Sequence, residues 1–158
     1  MHTRESSRAV LDTSPIVVLG KLGLLERALS LFDEVEVPSG VLEEVKKKED
    51  KAYQELMRVI DAGKISVEDI KKRLPKLGLG ESSVIFLALM RDKTVILDDK
   101  RARKLARELG LEVIGTLSIL KRLYEKGILA ETPNAIYKRL IEIGFYIDKR
   151  LFDMIFKK

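Results

Sequence analysis

Five short apolar segments alternate with helical patterns along the whole chain, and this limits the possible folds more than any other feature of the sequence. Arg8-Ala9-Val10-Leu11-Asp12, Glu34-Val35-Glu36-Val37, Ile65-Ser66-Val67, Thr94-Val95-Ile96-Leu97 and Glu112-Val113-Ile114 read as strands. Ser14 with Pro15 supplies a helix start, and helical patterns run through Leu19 and from Leu24 to Phe32, broken near Gly20 and Gly23. Further helices are expected from Val41 to Lys48, Ala52 to Ala62, in a basic stretch before Pro75, Glu81 to Met90 and up to Leu109. Thr116–Lys126, Pro133–Ile143 and Asp148–Phe156 complete the set. Parallel neighbours need crossover helices, so this order predicts a mainly parallel sheet of about five strands covered on both faces. The reading is one α/β domain over residues 1–158, with an N-terminal tail at 1–7 and a helical C-terminal extension at 128–158.

The residues that are missing narrow the chemistry. The 158 residues include no Cys and one His, His2, which lies in the tail. Disulfides, thiolate nucleophiles, Zn–Cys sites and iron–sulfur clusters are therefore excluded, and a Ser-His-Asp triad or a two-histidine ribonuclease mechanism is not supported. Any catalysis has to run on carboxylates, hydroxyls, Lys/Arg or a hard metal ion. The longest apolar run, Val84–Met90, has seven residues, against the roughly 20 that span a bilayer. No signal-type segment opens the chain, so the expectation is a cytoplasmic protein with no membrane partner.

Charge is clustered. Residues 91–107 hold seven basic and three acidic groups, and residues 121–158 hold nine and five, a net +4 in each segment. Clustered positive charge points to a polyanion or to an ordinary solvated surface.

The acids fall at places the strand–helix alternation defines. Asp12 ends the first strand, and Asp98 and Asp99 end the fourth. Glu43 and Glu44 lie in the first turns of the helix after the second strand, and Glu81 opens the helix leading back to the fourth. Strand C-termini and the N-termini of covering helices share one edge of a parallel sheet, the edge where open α/β sheets bind ligands. Singly, each acid has a structural role open to it: Asp12 as acceptor of turn amides, Asp99 as helix cap, Glu81 at the helix dipole, Glu43 and Glu44 as exposed residues. Together they repel one another unless a cation neutralises them, and oxygen donors without His or Cys select Mg²⁺ or Mn²⁺. Such a site suits phosphodiester hydrolysis. The basic helix that starts on the same rim carries Lys100, Arg101, Arg103, Lys104 and Arg107, which either grip flanking phosphates or cover the sheet with their stems.

These segments resemble the PIN-domain ribonucleases: Asp12-Thr13-Ser14-Pro15, Val37-Pro38 with Val41-Leu42-Glu43-Glu44-Val45, Leu77-Gly78-Leu79-Gly80-Glu81, and Ile96-Leu97-Asp98-Asp99-Lys100-Arg101-Ala102-Arg103. The resemblance is to the prokaryotic branch related to VapC-type toxins (DUF3368-like), includes Gly115-Thr116-Leu117, and spans about Val10 to Phe156. It implies a three-layer α/β/α fold and a metal-dependent endoribonuclease whose acidic quartet binds Mg²⁺ or Mn²⁺. Asp12, Glu44, Glu81 and Asp99 match the quartet, with Glu43 open as an alternative to Glu44 at the second position and Asp98 substituting or assisting at the fourth; Ser14 and Glu43 are supporting residues. It also implies RNA as substrate, a homodimer, and an antitoxin as partner if the chain is a toxin.

Other readings are a PIN-like module that binds RNA or protein without cutting, and a Mg²⁺-dependent phosphatase. The phosphatase would show a second Asp at position 14, where Ser stands. Gly78-Leu79-Gly80 is a poor dinucleotide fingerprint, with Ser83 at the third glycine position. The C-terminal stripe Leu151, Phe152, Ile155 and Phe156 is expected to pack in the core, or to serve a dimer or antitoxin groove.

Overall fold

The computed structural model describes residues 7–48, 50–91 and 93–156; His2 and the rest of the tail before Ser7 lie outside them. The strands are β1 (Arg8–Leu11), β2 (Glu34–Pro38), β3 (Ser66–Glu68), β4 (Thr94–Ile96) and β5 (Val113–Ile114). The helices are α1 (Thr13–Lys21), α2 (Leu25–Leu29), α3 (Ser39–Lys48), α4 (Asp50–Asp61), α5 (Leu79–Arg91), α6 (Lys100–Glu108), α7 (Thr116–Glu125), α8 (Pro133–Glu142) and α9 (Lys149–Phe156). All strand pairings are parallel, in the spatial order β3-β2-β1-β4-β5.

From β1 the chain steps outward to β2 and β3, then returns through α5 to β4 on the other flank of β1 and continues to β5. Parallel crossovers are right-handed almost without exception, so this reversal puts the two sets of connecting helices on opposite faces. It also makes the gap beyond the C-terminal ends of β1 and β4 the topological switch point. β1 is sealed on both sides, with Ala9, Val10 and Leu11 at most 2% exposed. α5 lies over β1, β2 and β4 and buries Val84, Ile85, Leu87 and Ala88.

Two local expectations are corrected. The first helix starts at Thr13, with Asp12 rather than Ser14 at its N-cap. Pro15 is the third helical residue, two positions further in than expected, and still fits because first-turn amides have no intrahelical partner to lose. The basic stretch before Pro75 is not helical: residues 69–74 form a loop without regular secondary structure. Hydroxyls projecting from α5 hold it there. The Leu74 and Lys72 amides donate to Ser82 Oγ (2.8 Å) and Ser83 Oγ (3.1 Å), while the Gly40 amide donates to the Ile70 carbonyl (3.0 Å).

In the C-terminal stripe, Phe152 and Phe156 are buried and stack at 4.4 Å between ring centroids, and Tyr137 meets Phe152 edge-on at 5.1 Å. Leu151 turns outward and is 48% exposed. At the end of the sheet away from the switch point, Lys93 Nζ lies 2.5 Å from Glu36 Oε1, with both residues buried. Removing one partner strands the other charge in a dry site. Lys93→Ala is expected to lower stability by about 3–5 kcal/mol in urea unfolding, and adding Glu36→Leu is expected to recover much of that loss.

Candidate active site

Asp12, Thr13, Ser14, Glu44, Lys48, Glu81, Asp98 and Asp99 line one cleft of about 380 Å³ at the switch point. The backbone sets its floor: the Asp12 amide donates to the Ile96 carbonyl at 3.0 Å, so the ends of β1 and β4 are level and their acids face one another.

Asp12 is 4% exposed, and its side chain does not cap α1 although it occupies the N-cap position. Its Oδ1 is fully buried and has no hydrogen-bond partner. Burial, and behind it the Glu81, Glu44 and Asp98 carboxylates, push its pKa up to about 8 against the opposing pull of the Thr13 amide.

The other acids are each held through a donor. Thr13 Oγ1 donates to Glu44 Oε1 at 2.8 Å, which draws α3 toward the start of α1. The Gly78 amide donates to Glu81 Oε1 at 3.0 Å. Burial raises the Glu81 pKa, the Gly78 amide opposes this, and the adjacent Asp99 and Glu44 carboxylates add to the rise. Asp98 accepts three bonds, from the Thr116 amide (2.8 Å), Thr116 Oγ1 (2.6 Å) and Ser14 Oγ (3.0 Å). Asp99 caps α6 by accepting the Ala102 amide at 2.9 Å. Gly80 leaves room for the Thr13–Glu44 pair, since a Cβ there would collide with Glu44 Oε1 and crowd Thr13 Oγ1 and so displace the Glu44 carboxylate.

A second, wider groove of about 890 Å³ shares Glu81 and Asp99 with the cleft and is otherwise lined by Lys76, Lys100, Arg101, Lys104 and Arg107. Lys76 has φ +67°, the only positive φ of a non-glycine among the described residues, and its carbonyl accepts from Arg101 Nη1 at 3.4 Å. Acidic floor and basic wall therefore meet along one edge.

The structure brings Asp12, Ser14, Glu44, Glu81, Asp98 and Asp99 together, and Lys100, Arg101, Lys104 and Arg107 beside them. Two residues fall elsewhere. Glu43 faces away, with Lys71 at 3.1 Å and Lys47 at 3.8 Å. Arg103 lies outside the basic groove, donates to the Leu97 carbonyl at 3.1 Å and lies against Gly115. Sequence reasoning missed Lys48, Lys76, Thr13 and Thr116 as members of the site. Lys48 carried a signal, four residues after Glu44 on the same helix face; Lys76 carried none, since its place depends on the turn before α5.

The family description "PIN domain" (DUF3368) matches residues 8–158, and the chain belongs to that family. No curated protein matches it. Among solved structures, a domain of a functionally unknown protein from Methanocaldococcus jannaschii DSM 2661 is 20% identical, with a TM-score of 0.50 over 69% of this chain and 90% of that one. A PilT N-terminus domain protein from the hyperthermophilic archaeon Sulfolobus solfataricus P2 is 19% identical, with a TM-score of 0.43 over 72% and 90%. Likeness at this identity concerns the fold. PIN domains are commonly nucleases, which fits an acidic cleft at a switch point. No helix among the described residues is long and apolar enough to cross a membrane.

The Asp12 shift makes a stability prediction. The unfolded chain ionises Asp12 near pH 4 and the folded protein only near pH 8, so folding binds a proton between these values and stability falls as pH rises through them. In EDTA, Asp12→Asn is expected to melt like wild type at pH 4 and several degrees higher at pH 8, where ~1 kcal/mol corresponds to about 2–4 °C.

Proposed function

We propose that this chain is a divalent-metal-dependent endoribonuclease that hydrolyses RNA phosphodiester bonds in the acidic cleft. The observation that carries the reading is Asp12 Oδ1, a buried carboxylate oxygen without a partner at the floor of a cleft walled by other acids. A buried acceptor left unmet is costly, and a cation would meet it while offsetting the burial and the carboxylate repulsion that raise Asp12 and Glu81. The donors are all oxygens, the set that suits Mg²⁺ or Mn²⁺. Among the described residues no three acidic side chains converge as placed on one point. The fit therefore rests on the chemistry of the donors and the unmet oxygen rather than on a preformed cage.

In this reading Asp12, Glu44, Glu81 and Asp99 hold the ion. Glu44 is favoured over Glu43 because it alone of the two lines the cleft. Asp99 is favoured over Asp98 because Asp98 already accepts three hydrogen bonds through both its oxygens. Asp98 then acts as a strut that ties the end of β4 to Ser14 of α1 and Thr116 of α7. When bound, the metal supplies an activated water and neutralises charge at the phosphate. Thr13 and the Gly78 amide keep Glu44 and Glu81 turned into the cleft. Lys76, Lys100, Arg101, Lys104 and Arg107 hold the phosphates beside the scissile one, contacts that position a strand without reading its sequence.

A panel of single-stranded and structured RNAs, incubated with Mn²⁺, Mg²⁺ or EDTA, tests the proposal. Wild type is expected to cut with either ion and not in EDTA. Asp12→Asn is expected to lose more than about 100-fold in rate, beyond the 10–100-fold cost of changing an outer-shell group. Mn²⁺ has to displace the Asp12 proton, so its affinity is expected to rise from pH 6 to pH 8. Metal-independent cutting, or a folded Asp12→Asn protein as active as wild type, would overturn the reading.

A further inference from the structure

The basic groove accounts for one side of the acidic cleft. On the other side the cleft wall is α3, and its last turn places one cation there, Lys48. Its neighbours differ from it. Lys47 lies 3.8 Å from Glu43 on the outer face, and neither Lys46 nor Lys47 lines the cleft. Glu44, four residues before Lys48, is the partner that helix geometry favours, because Glu N-terminal to Lys at this spacing is the better arrangement. That pair is not made: Glu44 is held instead by Thr13 Oγ1. Lys48 is thus an exposed ammonium beside a group of carboxylates, and among the described residues none of them lies within ion-pair distance of it.

We propose that Lys48 is a second phosphate anchor, so that a bound RNA strand crosses the acidic floor from the α6 groove to the end of α3. This deepens the nuclease reading and rests on it. The floor is bounded by Lys76, Lys100, Arg101, Lys104 and Arg107 on the side of Glu81 and Asp99, and by Lys48 on the side of Glu44. A phosphate over Asp12 then has cations on both flanks, and the strand is pinned on either side of the bond to be cut. A point charge on a flexible stem suits this task, since it can follow the phosphate without fixing the angle of approach. Lys48 also sits where it weakens the field of the carboxylates that would hold a metal.

Two measurements on the intact protein separate this role from that of a solvated surface lysine. The first is RNA binding in the non-cutting Asp12→Asn background, followed by fluorescence anisotropy of a labelled single-stranded oligonucleotide over a range of salt. Lys48→Gln is expected to weaken binding several-fold and to lower the slope of log K against log salt by about 0.7, the value for one phosphate contact on a single strand. Lys104→Gln is expected to do the same from the groove side, and Lys46→Gln to change neither quantity. The second is Mn²⁺ affinity without RNA in the otherwise wild-type protein, where Lys48→Gln is expected to bind the ion several-fold more tightly. If Lys104→Gln lowers the slope and Lys48→Gln does not, the second anchor is wrong and the nuclease reading stands. If neither lowers it, the RNA reading falls with it. Unchanged Mn²⁺ affinity in Lys48→Gln would show that Lys48 does not face the carboxylates and would overturn the proposal by itself.

Discussion

The position of β1 between two parallel neighbours is the constraint on which the site depends. β1 pairs with β2 on one side and with β4 on the other, and the Asp12 amide closes the last bond of the β1–β4 ladder at the Ile96 carbonyl. That bond places Asp12 beside Asp98 and Asp99 before any side-chain interaction acts. The same topology obliges α5 to return from the far edge across β1, which brings Glu81 to the same rim, and α3 leaves β2 there with Glu44. The gathering of the acids on one rim is a product of chain direction, and the side chains only refine it.

Refinement consists mostly of supplying donors to crowded carboxylates. Thr13, Ser14, Thr116, and the amides of Gly78, Ala102 and Thr116 each satisfy an oxygen of Glu44, Asp98, Glu81 or Asp99. These bonds also join the start of α1 to α3, β4 to α7, and Asp99 to α6, so the network that tolerates the negative charge also docks the helices. Asp12 Oδ1 is left out of it. Stability is given up at Asp12, a pattern expected where a folded protein keeps a group ready for a ligand.

Much of this was legible in the sequence because it depends on periodicity and on chain direction. Five strands, their parallel arrangement and the placing of Asp12, Glu44, Glu81, Asp98 and Asp99 on one edge follow from where apolar segments end and helices begin. The rest depends on tertiary contacts that periodicity does not record. The 69–74 segment has the composition of an exposed basic helix, yet Ser82 and Ser83 supply its backbone with other partners. Glu43 and Glu44 are adjacent and chemically alike, and only the rotation of α3 against α5 separates cleft from solvent. Arg103 and Arg107 share a helix one turn apart, and the nearby Leu97 carbonyl takes the first of them out of the groove.

The loop before α5 has a consequence for motion. Its backbone is pinned by side chains that α5 itself carries, and the Gly78 amide that ends it holds Glu81. Loop, Ser82, Ser83 and Glu81 are therefore linked by hydrogen bonds, so that an opening at one would disturb the others. Amide hydrogens of Lys72, Leu74 and Gly78 should exchange with solvent at a common rate, slower than their place in an irregular surface segment suggests. An acid that sits in the first turn of a long helix inherits the breathing of the loop in front of it, so the readiness of the cleft is set by a stretch of chain that contributes no carboxylate of its own to it.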